Sequence, residues 1–248
     1  MEQGNILKSY LIGQLTTAKK QLQLIGPEGE TETLHRFRVS LRRFRSVLDA
    51  YTRHLYAPEA VVKSMVKVTN PLRETDVFLD SITPSAYPGL HKALTAFRNK
   101  QYRQIWKPDT AERFGHAIDA LIGDLSKLEL DPGKKKLVRK GKHLYAEAKK
   151  AHHKLTKDSE EEKIHETRIR YKKARYVLEF LDEAGLADET RRIKKIKKIL
   201  DHFGAIQDAA NQLEWLCRFC EEHPSGECSN LLAERRETLT SLKEAFKF

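Results

Sequence analysis

The stretch HRFRVSLRRFRSVL, residues 35–48, returns as HETRIRYKKARYVL at residues 165–178. The two copies align without a gap, so histidine meets histidine and most basic and apolar positions coincide. The aligned basic pairs are His35 with His165, Arg38 with Arg168, Arg42 with Lys172, Arg43 with Lys173, and Arg45 with Arg175. Such a match is hard to obtain by chance, and it indicates an internal duplication.

Each copy predicts two neighbouring stripes on a helix of about 100° per residue. In the first copy, the histidine and three of its arginines fall within roughly 80° of one another, and apolar side chains form the adjacent stripe. The apolar stripes are Phe37, Leu41, Phe44, Leu48 and Tyr51 in the first copy, and Ile164, Tyr171, Ala174, Leu178 and Leu181 in the second. The apolar stripe is typical of a helix that packs on a core.

The cationic stripes are unusual for a structural helix, because like charges three or four residues apart repel each other. Solvated helix faces normally mix charges of both signs, whereas neither stripe includes a carboxylate. The alternative interpretation is an ordinary solvated face. The repetition favours a binding site in which an external anion offsets the repulsion.

The composition agrees with an anionic partner. The chain has 248 residues, with 46 Lys+Arg against 35 Asp+Glu and a formal net charge of +11. This charge suits nucleic acid, a phosphate polymer or an anionic membrane. No apolar run approaches the roughly 20 residues of a membrane span, no signal-peptide pattern is present, and three cysteines argue against a secreted disulfide scaffold. We therefore expect a soluble cytoplasmic protein with no membrane partner.

Helical periodicity and the positions of Pro and Gly predict an all-α fold, with no period-2 strand pattern. The predicted helices cover 4–25, 31–55 (capped by Thr31 or Thr33), 58–79 (kinked at Pro71), 90–106, 110–128, 134–154, 159–183, 187–222 and 229–246. We predict two antiparallel four-helix bundles related by a pseudo-two-fold axis, one in residues 1–107 and one in residues 108–248. This arrangement would bring the two cationic stripes together.

A second, weaker repeat follows each copy at nearly the same offset. NPLRETD, from Asn70, aligns with GAIQDAA, from Gly204. The alignment places Arg73 on Gln207 and Glu74 on Asp208.

At these residues the chain resembles the CHAD family, the conserved histidine α-helical domain. The family pattern is H-x-x-R-x-x-x-[RK]-[RK]-x-R in each half, followed by a helix that ends in L-G-x-x-[RQ]-D. The first signature is intact in both copies. The second is intact in the second half, as FGAIQD from Phe203, whereas the first half reads TNPLRE from Thr69.

The resemblance implies a non-catalytic domain that binds inorganic polyphosphate on a basic central surface and associates with polyphosphate granules, without a cofactor. The binding residues it implies are His35, Arg38, Arg42, Arg43, Arg45, His165, Arg168, Lys172, Lys173 and Arg175. Four further lysines are plausible extra contacts: Lys63, Lys67, Lys194 and Lys198. Arginine forks and lysine charges suit phosphate oxygens, and histidine adds a donor that becomes cationic near pH 6.

Three alternatives compete with this interpretation. Glu74 and Asp208 could hold Mg²⁺ in a phosphohydrolase or another phosphate-handling enzyme, although a capping or salt-bridge role is preferred. Nucleic acid is permitted by the charge but not expected, because aromatic residues are not interleaved with the cationic stripe. A zinc site is the third, with Cys217, Cys220, His223 and Cys228 as its ligands, but three ordinary thiols are the preferred interpretation.

Overall fold

The computed structural model describes residues 5–52, 56–156 and 159–245, and the regular structure in these ranges is entirely α-helical. The helices are α1 (Ile6–Leu22), α2 (Thr31–Tyr51), α3 (Tyr56–Val68), α4 (Asn70–Asp80), α5 (Pro88–Ile105), α6 (Pro108–Lys127), α7 (Lys134–His152), α8 (Glu161–Glu183), α9 (Thr190–Glu222) and α10 (Gly226–Ala245). The predicted all-α class is confirmed for the described part of the chain. The predicted helix limits at Gly4, Leu55 and Phe246 lie outside the described residues.

The main departure from the predicted helices is at Pro71. The sequence predicted one kinked helix, but α3 ends at Val68 and α4 begins at Asn70, with Pro71 in its first turn. Proline is tolerated there because its missing N–H would have no helical acceptor. The break leaves Thr69 fully buried between the two helices.

The predicted caps of α2 are also wrong. Glu30 is the N-cap residue and makes no side-chain cap hydrogen bond. Thr31 and Thr33 both lie inside the first turn, where the Thr31 hydroxyl donates to Asp80 Oδ1 at 3.0 Å and Thr33 is buried. The hydroxyl of Thr31 therefore ties α2 to the end of α4 instead of capping its own helix.

Eight of the ten residues predicted for the apolar stripes of α2 and α8 are buried as expected, whereas Tyr51 and Ile164 are only partly buried. The eight buried residues belong to a main core that also takes side chains from α1, α3, α6, α7 and α9. The stripe residues with less than 2% exposure are Phe37, Leu41, Phe44, Leu48, Tyr171, Ala174, Leu178 and Leu181. Gly141 lets α7 approach α8 closely, because a Cβ at this position would lie 2.5 Å from Leu181 Cδ1.

Helices α2 and α8 cross in antiparallel directions. Arg43 pairs with Glu179 at 3.2 Å, and further along α2 Asp49 pairs with Lys173, which lies further back on α8. The crossing places the two repeated helices side by side. Whether they are related by a pseudo-two-fold axis, and whether the chain divides at Pro108, stay predictions; α6 lies beyond that boundary and packs on α1.

A second, smaller core joins α4 and α5 to the end of α9 and to α10. Its buried residues are Phe78, Ile82, Leu90, Leu94, Leu216, Phe219, Cys220, Cys228 and Leu231. Trp215 packs on its edge, with its ring centroid 4.7 Å from that of Phe78. None of the helices in the described part of the chain combines the length and hydrophobicity needed to cross a membrane.

Candidate functional site

A cavity of about 720 Å³ lies where α2, α4, α8 and α9 meet, and we call it the central cavity. Its lining residues are Arg38, Arg42, Asn70, Arg73, Glu74, Val77, Phe78, His165, Arg168, Lys172, Gln207, Asp208, Asn211, Gln212, Glu214, Trp215 and Arg218. Six of these side chains are Lys or Arg and three are Asp or Glu, a formal excess of three positive charges. The two repeated helices supply Arg38, Arg42, Arg168 and Lys172 to the same space.

Arg38 is the most deeply buried cation of the cavity, with 4% of its surface exposed. Its Nη1 donates to Val66 O and to Thr69 Oγ1, and its Nη2 donates to Asn70 Oδ1, all at 2.7 Å. Burial, with repulsion from Arg42 and Arg73, lowers the pKa of Arg38 to about 10. These three acceptors are neutral, so they fix the guanidinium in place, and no carboxylate of the described residues forms an ion pair with it.

His35 lies one turn before Arg38 and is half-buried, outside the residues that line the cavity. Burial lowers its pKa, and the charge of Arg73 lowers it further. Both effects favour the neutral imidazole. Its counterpart His165 is exposed and lines the cavity directly.

Arg168 has a different partner from Arg38. Its Nη2 donates to Asp208 Oδ1 on α9 at 3.1 Å, and Asp208 is 62% exposed. The pair lies against Gly204, where a Cβ would come within 3.2 Å of Asp208 Oδ2 and 3.3 Å of Arg168 Nη2. The glycine thus provides the space in which this ion pair forms.

Lys172 lies among cations. The surrounding protein desolvates its ammonium group, although the side chain remains exposed to the cavity, and Arg168 and Arg42 repel it. Together these effects lower its pKa to about 8. A lysine in this environment gains protonation when an anion enters.

Several guanidinium N–H groups around the cavity have no acceptor among the described residues. They are Arg38 Nε, Arg73 Nη1 and Arg168 Nε, each inaccessible to solvent. Buried donors without partners are costly. The described residues alone therefore do not satisfy all the donors of these three guanidinium groups.

Three predicted ligands have carboxylate partners instead of facing the cavity. Arg43 pairs with Glu179 and Glu183, and although burial opposes its charge, these carboxylates raise its pKa. Lys173 pairs with Asp49, and Arg175 lies 3.6 Å from Glu179. The expectation that the cationic stripe has no carboxylate partner is therefore wrong at Arg175, because Glu179 continues the same stripe one turn later.

The other predicted contacts also lie away from the cavity. Arg45 is partly buried and is not among the lining residues. The four additional lysines are exposed on α3 and α9 and do not line it either: Lys63, Lys67, Lys194 and Lys198.

The structure adds cavity residues that the sequence analysis did not select. Arg73 and Gln207 were aligned in the second repeat but were not assigned a binding role, and the motif spacing could have indicated them. Arg218 and Trp215 lie on α9 beyond the repeats. No repeat or spacing marks these two residues, so only the fold reveals them.

The cysteine cluster does not form a zinc site. Cys220 and Cys228 are bonded to each other as a disulfide that joins the end of α9 to the start of α10, and Cys217 is free. The prediction of three ordinary thiols is therefore wrong for Cys220 and Cys228. Among residues 5–52, 56–156 and 159–245, no three His, Cys, Asp or Glu side chains are placed to hold a metal ion.

The fold and the cavity define an all-helical domain that gathers cations from two repeated helices around one space. Comparison with known families identifies it: the sequence model of the CHAD domain matches residues 9–217, and the chain belongs to the CHAD domain family.

Two solved structures share the fold. The CHAD domain from the plant Ricinus communis superposes with a TM-score of 0.71 at 21% sequence identity, covering 98% of this chain and 91% of that one. PptA from Streptomyces chartreusis superposes with a TM-score of 0.67 at 16% identity, covering 98% of this chain and 97% of that one. No match was found among curated protein sequences.

Proposed function

We propose that this protein binds inorganic polyphosphate in the central cavity and does not turn it over. The observation that carries the proposal is the excess of cations over carboxylates in one cavity, six against three. A phosphate chain is repetitive and charged along its length. It therefore requires several donors in a row more than one shaped pocket.

The cavity offers two kinds of donor to such a chain. Arg38 is held in position by neutral acceptors, so it meets the anion without first ordering its side chain. Arg73 has no acceptor of its own in the described part of the chain, and its Nη1 is buried. Guanidinium groups bind phosphate oxygens through paired hydrogen bonds, and binding releases counterions. Affinity should therefore fall steeply with salt.

The ion pairs between α2 and α8 have a supporting role in the proposal. Arg43 and Lys173 are neutralised by carboxylates on the opposite helix. They hold the two repeated helices together and leave Arg42 and Lys172 to meet the ligand. We assign Arg43 and Lys173 to this structural role and Arg175 to its ion pair with Glu179 within α8, and none of the three to direct contact with the ligand.

We place the protein in the cytoplasm, on polyphosphate granules. The Cys220–Cys228 disulfide argues against this location, since stable disulfides are rare in the cytosol. Fluorescence microscopy of the tagged protein in cells with and without polyphosphate tests it. A signal that stays diffuse in both cells contradicts granule association.

The direct test is calorimetric titration with long-chain polyphosphate. The variant is Arg42→Glu/Lys172→Glu, which reverses two cavity charges. The matched control is Lys92→Glu/Lys100→Glu, which makes the same change in net charge at exposed positions of α5 that neither line the cavity nor belong to the predicted ligands. We expect the cavity variant to lose binding and the control to retain most of it, with circular dichroism showing that both are folded. Equal losses in the two variants would contradict a site in the cavity.

Trp215 provides a second readout. It lines the cavity, whereas Trp106, the other tryptophan of the chain, is buried in the main core. Polyphosphate should change the fluorescence of the wild type, and Trp215→Phe should abolish the change while binding persists. Duplex DNA, single-stranded RNA and Mg²⁺-dependent phosphate release are measured alongside. Competition by nucleic acid on equal terms, or metal-dependent turnover, would replace this proposal.

A further inference from the structure

Helix α7 carries a second concentration of positive charge that the central cavity does not use. It contains eight Lys or Arg residues and a single carboxylate, Glu147. Four of its basic residues fall at positions i, i+3, i+4 and i+7 and so form one stripe: Lys136, Arg139, Lys140 and His143. At this spacing the like charges are neighbours on the helix surface and repel one another.

The stripe borders a concavity of about 430 Å³, which we call the α7 site. The remaining lining residues are Ala50 and Tyr51, at the end of α2, and Pro132, just before α7. The Tyr51 hydroxyl donates to Leu137 O at 2.9 Å, which fixes the ring against α7. The site therefore has a fixed aromatic ring on one side and four basic side chains of α7 on the other.

The cations of the α7 site differ from those of the α2–α8 crossing in lacking carboxylate partners. Arg43 and Lys173 are both paired with carboxylates across the α2–α8 crossing. Among the described residues, no hydrogen bond or ion pair involves the side chains of Lys136, Arg139 or Lys140, and His143 alone of the four has a carboxylate nearby, Glu147 at 3.4 Å. The cations that join α2 to α8 are neutralised, whereas those of the α7 site surround a concave surface.

We propose that the α7 site is a second binding site for condensed phosphate, separate from the central cavity. Its ligand is a short run of linked phosphoryl groups, which can contact three or four cations at once. The α7 site is independent of the proposed central site, because the two share no lining residue.

The central cavity and the α7 site are close enough for one long phosphate chain to contact both. Eight residues of α2 separate Arg42, in the central cavity, from Ala50, in the α7 site. This corresponds to about 12 Å along the helix axis. A long phosphate chain can therefore engage both sites of one molecule, or the α7 sites of neighbouring molecules, and bind more tightly than a short chain through its local concentration.

The test uses tripolyphosphate, which is too short to bridge the two sites, in calorimetry and equilibrium dialysis on the full chain. The α7 variant is Lys136→Gln/Arg139→Gln/Lys140→Gln. The control is Lys142→Gln/Lys149→Gln/Lys150→Gln, which removes the same charge from exposed positions of the same helix outside the concavity. Arg42→Glu/Lys172→Glu reports on the central cavity separately.

We expect the wild type and the control to bind about two tripolyphosphates per chain, and the α7 variant and the cavity variant about one each. The affinity of the altered site should fall about 30-fold or more, as expected for the loss of several charged hydrogen bonds. Lys136→Arg/Lys140→Arg keeps the charge and should keep both sites. One equivalent on the wild type, or equal losses in the α7 variant and its control, would overturn the proposal. If the cavity variant still binds two tripolyphosphates per chain, the proposed central site is wrong and the proposed α7 site is unaffected.

Discussion

The two copies of the repeated helix hold their central arginines in opposite ways. In the first copy, Arg38 is buried and donates to three neutral oxygens of the α3–α4 junction. In the second copy, Arg168 donates to the carboxylate of Asp208, which is mostly exposed. The first arginine is fixed without an ion-pair partner, whereas the second is paired with a carboxylate that a bound anion can replace.

A single aligned position accounts for much of this difference. Asn70 in the first half aligns with Gly204 in the second. The Asn70 amide oxygen accepts the hydrogen bond from Arg38, whereas the missing side chain at Gly204 leaves room for Arg168 and Asp208. Because the first half has Asn70 where the family motif has glycine, its arginine is held by an amide oxygen, whereas the arginine of the second half is held by a carboxylate. This change converts an exchangeable ion pair into a permanent set of hydrogen bonds.

The largest difference between the two arginines should appear in stability. Arg38→Ala leaves the acceptors Val66 O, Thr69 Oγ1 and Asn70 Oδ1 without their donor, and it should lower the free energy of unfolding by about 2–4 kcal/mol. Arg168→Ala should cost less than about 1 kcal/mol, because its partner Asp208 is exposed and the pair is screened by solvent. Urea unfolding followed by circular dichroism measures both.

Arg38→Lys serves as the control for charge. It keeps a cation but cannot reach the three acceptors as a fork, so it should recover only a small part of the lost stability. If Arg38→Ala and Arg168→Ala are equally destabilising, the contrast between a fixed and a releasable arginine is wrong.

The second prediction concerns Lys172, which takes the place of Arg42 in the second copy. Its pKa in the empty protein is about 8, and a bound anion should raise it. Binding must then take up protons at pH 8 and above, and affinity for long-chain polyphosphate should fall by up to about ten-fold as the pH rises from 7 to 9. Calorimetry in buffers of different ionisation enthalpy measures both the proton uptake and the affinity.

Lys172→Arg makes the second copy match the first and stays charged throughout this range. Its affinity should be flat between pH 7 and 9, with no proton uptake attributable to this position. The same pH dependence in the arginine variant would show that another group is responsible.

The fold and one half of the site could be predicted from local patterns. The apolar stripe defined α2 and α8 because burial of one helix face has a period that the sequence displays. The cationic stripe located Arg38, Arg42, His165, Arg168 and Lys172 for the same reason, and all five line the cavity. The carboxylates that pair with Arg43 and Lys173 come from another helix, and no pattern within one helix reveals a partner in another.

The remaining part of the site depends on how distant helices meet. Trp215 and Arg218 reach the cavity because α9 is long enough to pass both the second repeat and the small core. The Cys220–Cys228 bond arises because the turn between α9 and α10 brings two positions together that are eight residues apart. Spacing alone leaves the choice between thiols, metal ligands and a disulfide open.

The smallest effect should come from the two acidic residues of the cavity. Asp208 competes with the ligand for Arg168, whereas Glu74 lines the cavity without an ion-pair partner among the described residues. Asp208→Asn should therefore raise affinity for polyphosphate by about two- to five-fold, the equivalent of an exposed ion pair. Glu74→Gln should raise it less, since it removes only a more distant repulsion.

Adding Arg168→Ala to Asp208→Asn should cancel most of the gain, because the gain depends on freeing that guanidinium. If Asp208→Asn lowers affinity instead, the carboxylate positions Arg168 for the ligand, and the second copy is as fixed as the first.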